Sequence, residues 1–329
     1  FYNNSSKKDL PKNLIKIKSN IEFENYVKKI KHQDYLLILQ RGASLEQKNF
    51  YDLDLFRKYK VKTITVDNLD PWVESNFKNN FLLALARTVH VYLKYFFKKI
   101  YLIKNYKPFY VLGCGKISKA KYLNKKYKNL NYIDCPSLTI NFALKKRVNN
   151  IITYVDENLL FSRDAFIRQT NYKKIQNIDL YLRQLKFFFE KVEEKFKSKV
   201  IVACSNKFTY KKNYFNRPIV YGKTQELISK SKLVLGHRST ALFQALFNNV
   251  PVILIKNKYF PNIRNFQIEN FAKTFFNQSP YYLDDSSTNI KDLKLNYDKK
   301  YYKNIINNYF KSKNLENKNF KDNFVKNFN

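Results

Sequence analysis

The sequence predicts an α/β protein built from two successive parallel-sheet units that face a cleft. Short apolar runs recur along the chain with helix-like stretches between them, the pattern of a parallel sheet. Many of these runs stop at Gly, Asp or a polar cluster, as strands do where they feed a ligand-facing loop. The chain has 329 residues and is 44% hydrophobic, enough for two cores of roughly 150 residues each.

In the first half, Tyr35–Gln40 is an apolar run that ends at Arg41-Gly42. Val61–Val66 alternates and ends at Asp67, and Pro108–Leu112 ends at Gly113-Cys114-Gly115. A Lys-rich helical stretch and a short strand near Asn131–Ile133 follow. The most apolar segment, Asn80–Ile103, carries Arg87, His90, Lys94, Lys98 and Lys99, too many charges for a spanning helix. It reads as an amphipathic helix that faces a core or lies on a membrane surface.

A second series opens with the strand Ile151–Val155, which ends at Asp156-Glu157. Leu185, Phe188, Phe189, Val192 and Phe196 recur at helical spacing, and the strand Lys199–Cys204 follows. Pro218–Tyr221 is a short strand leading through Gly222-Lys223-Thr224 into a helix, with Thr224 as the expected N-cap and Glu226 in the first turn. Leu233–Leu235 and Val252–Ile255 complete the set, and a helix is expected near Tyr301–Phe310. The expected organisation is a first unit over 1–145, a second over 146–285 and a helical tail over 286–329, with 314–329 poorly ordered.

The net charge is +36, from 62 Lys and Arg against 26 Asp and Glu. One reading is an anionic partner, either nucleic acid or an acidic membrane surface. The other is an AT-rich coding sequence, which enriches Lys, Asn, Ile, Tyr and Phe together and leaves only 5 Gly. No nucleic-acid motif is present, and the aromatics follow core periodicities instead of forming a stacking platform. Cys114, Cys135 and Cys204 are widely spaced and read as buried free thiols. With His32, His90 and His237 they form no metal-ligand spacing, so no metal is expected. The chain opens on Phe1 and contains no methionine, as a piece of a longer protein would.

Gly236-His237-Arg238-Ser239-Thr240 carries the strongest chemical signal. Gly allows a tight turn after a strand, the hydroxyls can cap a helix or donate to phosphate, and His237 or Arg238 adds a charge-assisted contact. Simple capping by Ser239 or Thr240 accounts for the hydroxyls alone. Gly222-Lys223-Thr224 lacks the upstream Gly of a P-loop and reads as a cap or a nucleotide contact. Ser205-Asn206-Lys207 ends a strand at the same cleft, so Ser205 and Lys207 are further candidate donor contacts. Asp156-Glu157 offers a general base for an acceptor hydroxyl, or else two acids that complement a helix dipole. Asp52-Leu53-Asp54 reads as a solvated helix face, and Gly113-Cys114-Gly115 lacks the third Gly of a dinucleotide fingerprint.

From about Pro108 to Ile255, and best over Tyr154–Ile255, the chain resembles bacterial proteins encoded with capsule and surface-polysaccharide genes, which are similar to GT-B glycosyltransferases. Tyr154 to Phe161, Gly222 to Leu227 and His237 to Ala241 carry the resemblance. The order of acidic pair, strand loop and Ser-Thr also resembles transferases of CMP-activated acidic sugars such as sialyltransferases. This resemblance implies two Rossmann-like domains, Asp156 or Glu157 as the base, and Ser239 with Thr240 on the donor phosphate. Ser205-Asn206 stands where those enzymes have His-Pro, and Asn158 where they have Gly.

The resulting expectation is a metal-independent glycosyltransferase with no cofactor beyond a nucleotide-sugar substrate. It would act on a surface polysaccharide or glycolipid acceptor, in the cytoplasm or peripherally at the inner membrane face. The donor is expected against Gly236–Thr240, and the acceptor near Arg41-Gly42, Asp67 and Gly113–Gly115. A non-catalytic basic protein binding nucleic acid or membrane, or a degenerate transferase, are the competing readings.

Overall fold

The computed structural model describes residues 19–30, 36–41, 55–56, 58–68, 110–123, 131–141, 143–145, 150–161, 175–206, 208–283 and 297–311. Asn80–Ile103, Asp52-Leu53-Asp54, Gly42, Lys207 and 314–329 therefore lie outside the described residues, as do the side chains of Arg41 and Asp67. Among the described residues no helix is long and apolar enough to cross a membrane.

Helix α1 (Asn20–Ile30) precedes a four-stranded sheet of β1 (Leu36–Arg41), β2 (Thr63–Asn68), β3 (Tyr110–Gly113) and β4 (Asn131–Asp134). These strands lie in chain order and every pairing is parallel. The strand ends fall one or two residues from the sequence reading. Apolarity marks a strand's middle, whereas pairing such as Leu36↔Thr63 and Ile64↔Tyr110 sets its limits. Helix α2 (Gly115–Leu123) leaves β3 directly.

The second unit holds β5 (Ile151–Val155), β6 (Lys199–Cys204), β7 (Ile219–Tyr221), β8 (Ser231–Gly236), β9 (Val252–Asn257) and β10 (Tyr281–Leu283). They pair in the order β7-β6-β5-β8-β9-β10, all parallel. Counted from β5, this is the 3-2-1-4-5-6 order of a Rossmann sheet. Its central strands are covered on both faces, so Ile152, Tyr154, Leu233, Val234, Leu235, Leu254 and Ile255 are all buried. Both units are parallel α/β sheets, as the sequence predicts, and the second has the Rossmann strand order.

Helix α3 (Ile178–Phe196) buries Tyr181, Leu185, Phe188, Phe189, Val192 and Phe196 along one face. Asn177 caps it, its side chain accepting from the Leu180 N–H at 3.0 Å. Helix α4 (Thr224–Lys230) follows β7. A 3-10 turn, Thr240–Leu242, leads into α5 (Phe243–Asn248), and α6 (Asn262–Phe276) follows β9. With so few glycines, α3, α5 and α6 end on Lys197, Asn249 and Asn277 in the left-handed region, which Asn tolerates best among residues with a side chain. Helix α6 and strand β10 escape the sequence reading. The inward face of α6 mixes Gln267 with Ile268, Phe271, Phe275 and Phe276, and β10 is a three-residue edge strand.

Two devices join the units. The segment after β4 is held by the second unit's side chains. Gln244 exchanges hydrogen bonds with the main chain of Asn141 (2.9 and 3.2 Å), Asn248 donates to the Leu144 carbonyl (3.1 Å), and Gln225 to the Thr139 carbonyl (2.8 Å). Helix α7 (Lys299–Tyr309), capped by Asp298, then returns to the first unit and packs on α2. Ser137 N–H donates to the Phe310 carbonyl at 2.8 Å, and the Cys114 thiol to the Tyr309 carbonyl at 3.2 Å.

The Gly113–Gly115 turn, expected beside the acceptor, is instead the seat of α7. Gly115 has φ +73°, and a Cβ there would fall 2.5 Å from the Asn308 carbonyl oxygen. Close helix-to-turn packing explains the glycine better than ligand binding does. Gly115→Ala is expected to lower stability by about 2–3 kcal/mol through backbone strain and overpacking. A shift of the urea midpoint to lower concentration checks it.

Candidate functional site

Because the strands are parallel, their carboxyl ends form one row. The registers Val155↔Ala203, Cys204↔Tyr221 and Tyr154↔Leu235 bring Asp156, Ser205, Gly222 and His237 to the same edge of the sheet. The strand order reverses between β5 and β8, and at such a reversal the flanking loops part to leave a crevice. Asp156-Glu157 follows β5 and His237-Arg238 follows β8, so the two strongest sequence signals stand on either side of it.

Glu157 spans the reversal. One carboxylate oxygen accepts the main-chain N–H of Arg238, and the other accepts the guanidinium of Arg264, a residue in the first turn of α6. Both side chains of this ion pair are only 12% exposed. Glu157 is thereby tied across the crevice by a main-chain hydrogen bond and this ion pair. Arg264 went unrecognised in the sequence because it lies in a helix that the pattern did not reveal. The proline before that helix, Pro261, is the one available signal.

Asp156 differs. It accepts from the Tyr210 hydroxyl at 2.6 Å, from the Cys204 thiol at 3.5 Å and from the Asn158 N–H. Desolvation outweighs these bonds and raises its pKa to about 6, with the neighbouring charge of Glu157 adding to the rise. An aromatic cluster supplies that dry environment. Tyr210 packs against Phe208, Tyr214 and Phe215, and Phe161 stacks on Phe208. Asn158, at the place where the resembling motif has Gly, has φ +54°. Asn is the side-chain-bearing residue that tolerates this left-handed turn best.

His237 does not reach a ligand. Its ring is fully buried, with Nδ1–H donating to the Ile255 carbonyl at 2.7 Å. Nε2 lies 3.0 Å from the Tyr154 hydroxyl and 3.1 Å from that of Tyr181, and these hydroxyls are 3.2 Å apart. Since the carbonyl can only accept, the proton sits on Nδ1 and Nε2 accepts from a tyrosine. Burial lowers the histidine pKa to about 4, so the ring is neutral and braces the loop from beneath.

The rest of the loop also departs from expectation. Gly236 is the last, extended residue of β8, not a turn. Ser239 caps as expected, accepting from the Ala241 N–H at 3.3 Å, but what it caps is a three-residue 3-10 turn before the six-residue α5, whose dipole is correspondingly small. Arg238 and Ser239 are half-buried and Thr240 is exposed, so this face is open to a ligand. Thr224 does not cap α4. It is the first helical residue, and Lys223 holds the cap position without a side-chain bond. Gly222 has φ +71°, and a Cβ there would collide with the Asn206 amide, so the β6 and β7 loops pack against each other. Ser205, Asn206 and Lys223 are exposed beside them.

No protein-family model matches the chain, and no curated protein sequence matches it. Among solved structures it is similar to the UDP-GlcNAc 2-epimerase of Methanocaldococcus jannaschii, with TM-score 0.44 and 11% identity over 87% of this chain and 80% of that one. It is also similar to S. aureus MnaA in complex with UDP (TM-score 0.36, 9% identity, 74% of this chain and 64% of that one). A third is the calicheamicin glycosyltransferase CalG4 (TM-score 0.37, 9% identity, 72% and 59%). The chain spans less than two thirds of the latter two. The strand order and site geometry stand independently of these likenesses.

The raised pKa of Asp156 has a measurable consequence. A carboxyl whose folded pKa exceeds its unfolded one favours folding at low pH and loses that contribution as pH rises through about 6. Asp156→Asn is therefore expected to be more stable than the wild type at pH 8, with the advantage shrinking as pH falls from about 6 towards 4. Denaturation of both proteins across that range checks the sign.

Proposed function

We propose that the chain is a glycosyltransferase that takes a sugar from a nucleotide donor to a hydroxyl acceptor. One observation carries the reading: a carboxylate with a pKa near 6 shares the strand-reversal crevice with a loop bearing Arg238, Ser239 and Thr240. Asp156 is the general base. It takes the acceptor hydroxyl's proton, the acceptor oxygen bonds to the anomeric carbon, and the bond to the donor phosphate breaks with its electrons passing to the phosphate oxygen. A pKa near the working pH suits that task. Arg238 with the hydroxyls of Ser239 and Thr240 receives the departing phosphate, so fixed positive charge can replace a metal ion there. Ser205, Gly222, Lys223 and Thr224 border the donor on the neighbouring strand ends, and the first unit presents the acceptor.

The acceptor class in this reading is a bacterial surface polysaccharide or glycolipid. The net charge of +36 favours the anionic inner face of a membrane, where such acceptors are assembled.

Asp156→Asn is expected to lose at least about 100-fold in turnover while nucleotide affinity stays within about twofold. Wild-type turnover should fall as pH drops below about 6, because the base must be unprotonated. Arg238→Ala should weaken UDP, GDP or CMP binding by about tenfold or more. Calorimetric titration and initial rates with nucleotide sugars read these effects. Steeply salt-dependent DNA binding with no nucleotide binding would overturn the proposal.

A further inference from the structure

We propose that Glu157 is an internal anion held in the place that a donor diphosphate takes, and that donor binding exchanges the carboxylate for phosphate. This rests on the reading of the Arg238 loop as a phosphate site.

The geometry carries it. Glu157 accepts the Arg238 main-chain N–H with one oxygen and the Arg264 guanidinium with the other, the two kinds of donor that bind phosphate oxygens. It makes these contacts at the β5–β8 reversal, where ligands of such sheets sit. Its hold on Arg264 is incomplete. Only a terminal nitrogen bonds the carboxylate, and the buried Nε–H has no hydrogen-bond partner among the described residues. A tetrahedral phosphate presents enough oxygens to meet both nitrogens of the fork, which this carboxylate does not. Arg238 and Arg264 place two positive charges beside the carboxylates of Glu157 and Asp156, so a phosphate that displaces Glu157 meets fixed positive partners.

Titration of the full chain with inorganic pyrophosphate, UDP and CMP tests this. Glu157→Gln keeps the acceptor oxygen but removes the competing charge, and should bind pyrophosphate, UDP and CMP about tenfold tighter than the wild type. Glu157→Asp retains the charge on a shorter arm that cannot span both partners, and should fall between the two. It also serves if the glutamine variant does not fold. Adding Arg264→Gln to Glu157→Gln should remove the gain. If both Glu157 variants bind pyrophosphate no tighter than the wild type while Arg238→Ala still weakens binding, the phosphate site stands and the exchange is wrong. If neither the wild type nor the Glu157 variants bind any of the three ligands, the phosphate reading of the loop fails and takes this inference with it.

Discussion

The reversal of strand order between β5 and β8 is the constraint on which the rest of this molecule depends. These strands are neighbours in space, yet β6 and β7 lie between them in the chain. Both must be buried on two faces, which explains their near-continuous apolar sequence and the small polar pair inside them, Thr153 and Ser231, bonded to each other at 2.6 Å. Once that pairing is set, the loops after Val155 and Gly236 can only emerge side by side at the carboxyl edge. The acidic pair and the basic loop are thereby brought together across 81 residues of sequence.

Beneath that edge the protein keeps its polar groups neutral where it can. His237 shares its Nε2 with two tyrosines and gives its proton to a carbonyl, so the loop rests on a satisfied polar core instead of a buried charge. Above it the protein retains charge in compensated form, as the Glu157–Arg264 pair, and leaves Asp156 in surroundings that disfavour its ionisation. The pH linkages of His237 and Asp156 oppose one another. Between about pH 4 and 6 the histidine contribution is lost as pH falls, whereas the aspartate contribution grows. Keeping Asp156 in these dry surroundings thus costs stability near neutrality.

The coupling of the two units follows the same economy of small contacts. Three amide side chains, Gln225, Gln244 and Asn248, fasten the segment after β4, and α7 returns to close against the β3–α2 turn. That return seals the Gly-Cys-Gly turn, whose glycine permits close approach of a backbone that happens to belong to the protein itself. A thioether-free core rich in phenylalanine, including Phe243, Phe271, Phe275 and Phe310, fills the space under α7.

Local sequence determined the parts that depend on burial and backbone chemistry. Apolar runs located the strands β1 to β9, helical spacing from Leu185 to Phe196 located α3, and strand-terminal polar clusters located the edge on which a site could form. Periodicity could not show what crosses from one element to another. Only the tertiary structure separates Asp156 from Glu157, because solvent exclusion by Tyr210 and its neighbours and ion pairing by Arg264 are contacts between distant segments. Only it turns His237 inward, since the partners of that ring stand on β5, α3 and β9. The opening loop signal, Gly236 to Thr240, was legible as a place. What each of its atoms does was decided by packing, because a side chain's charge and direction follow from the neighbours that desolvate and bond it.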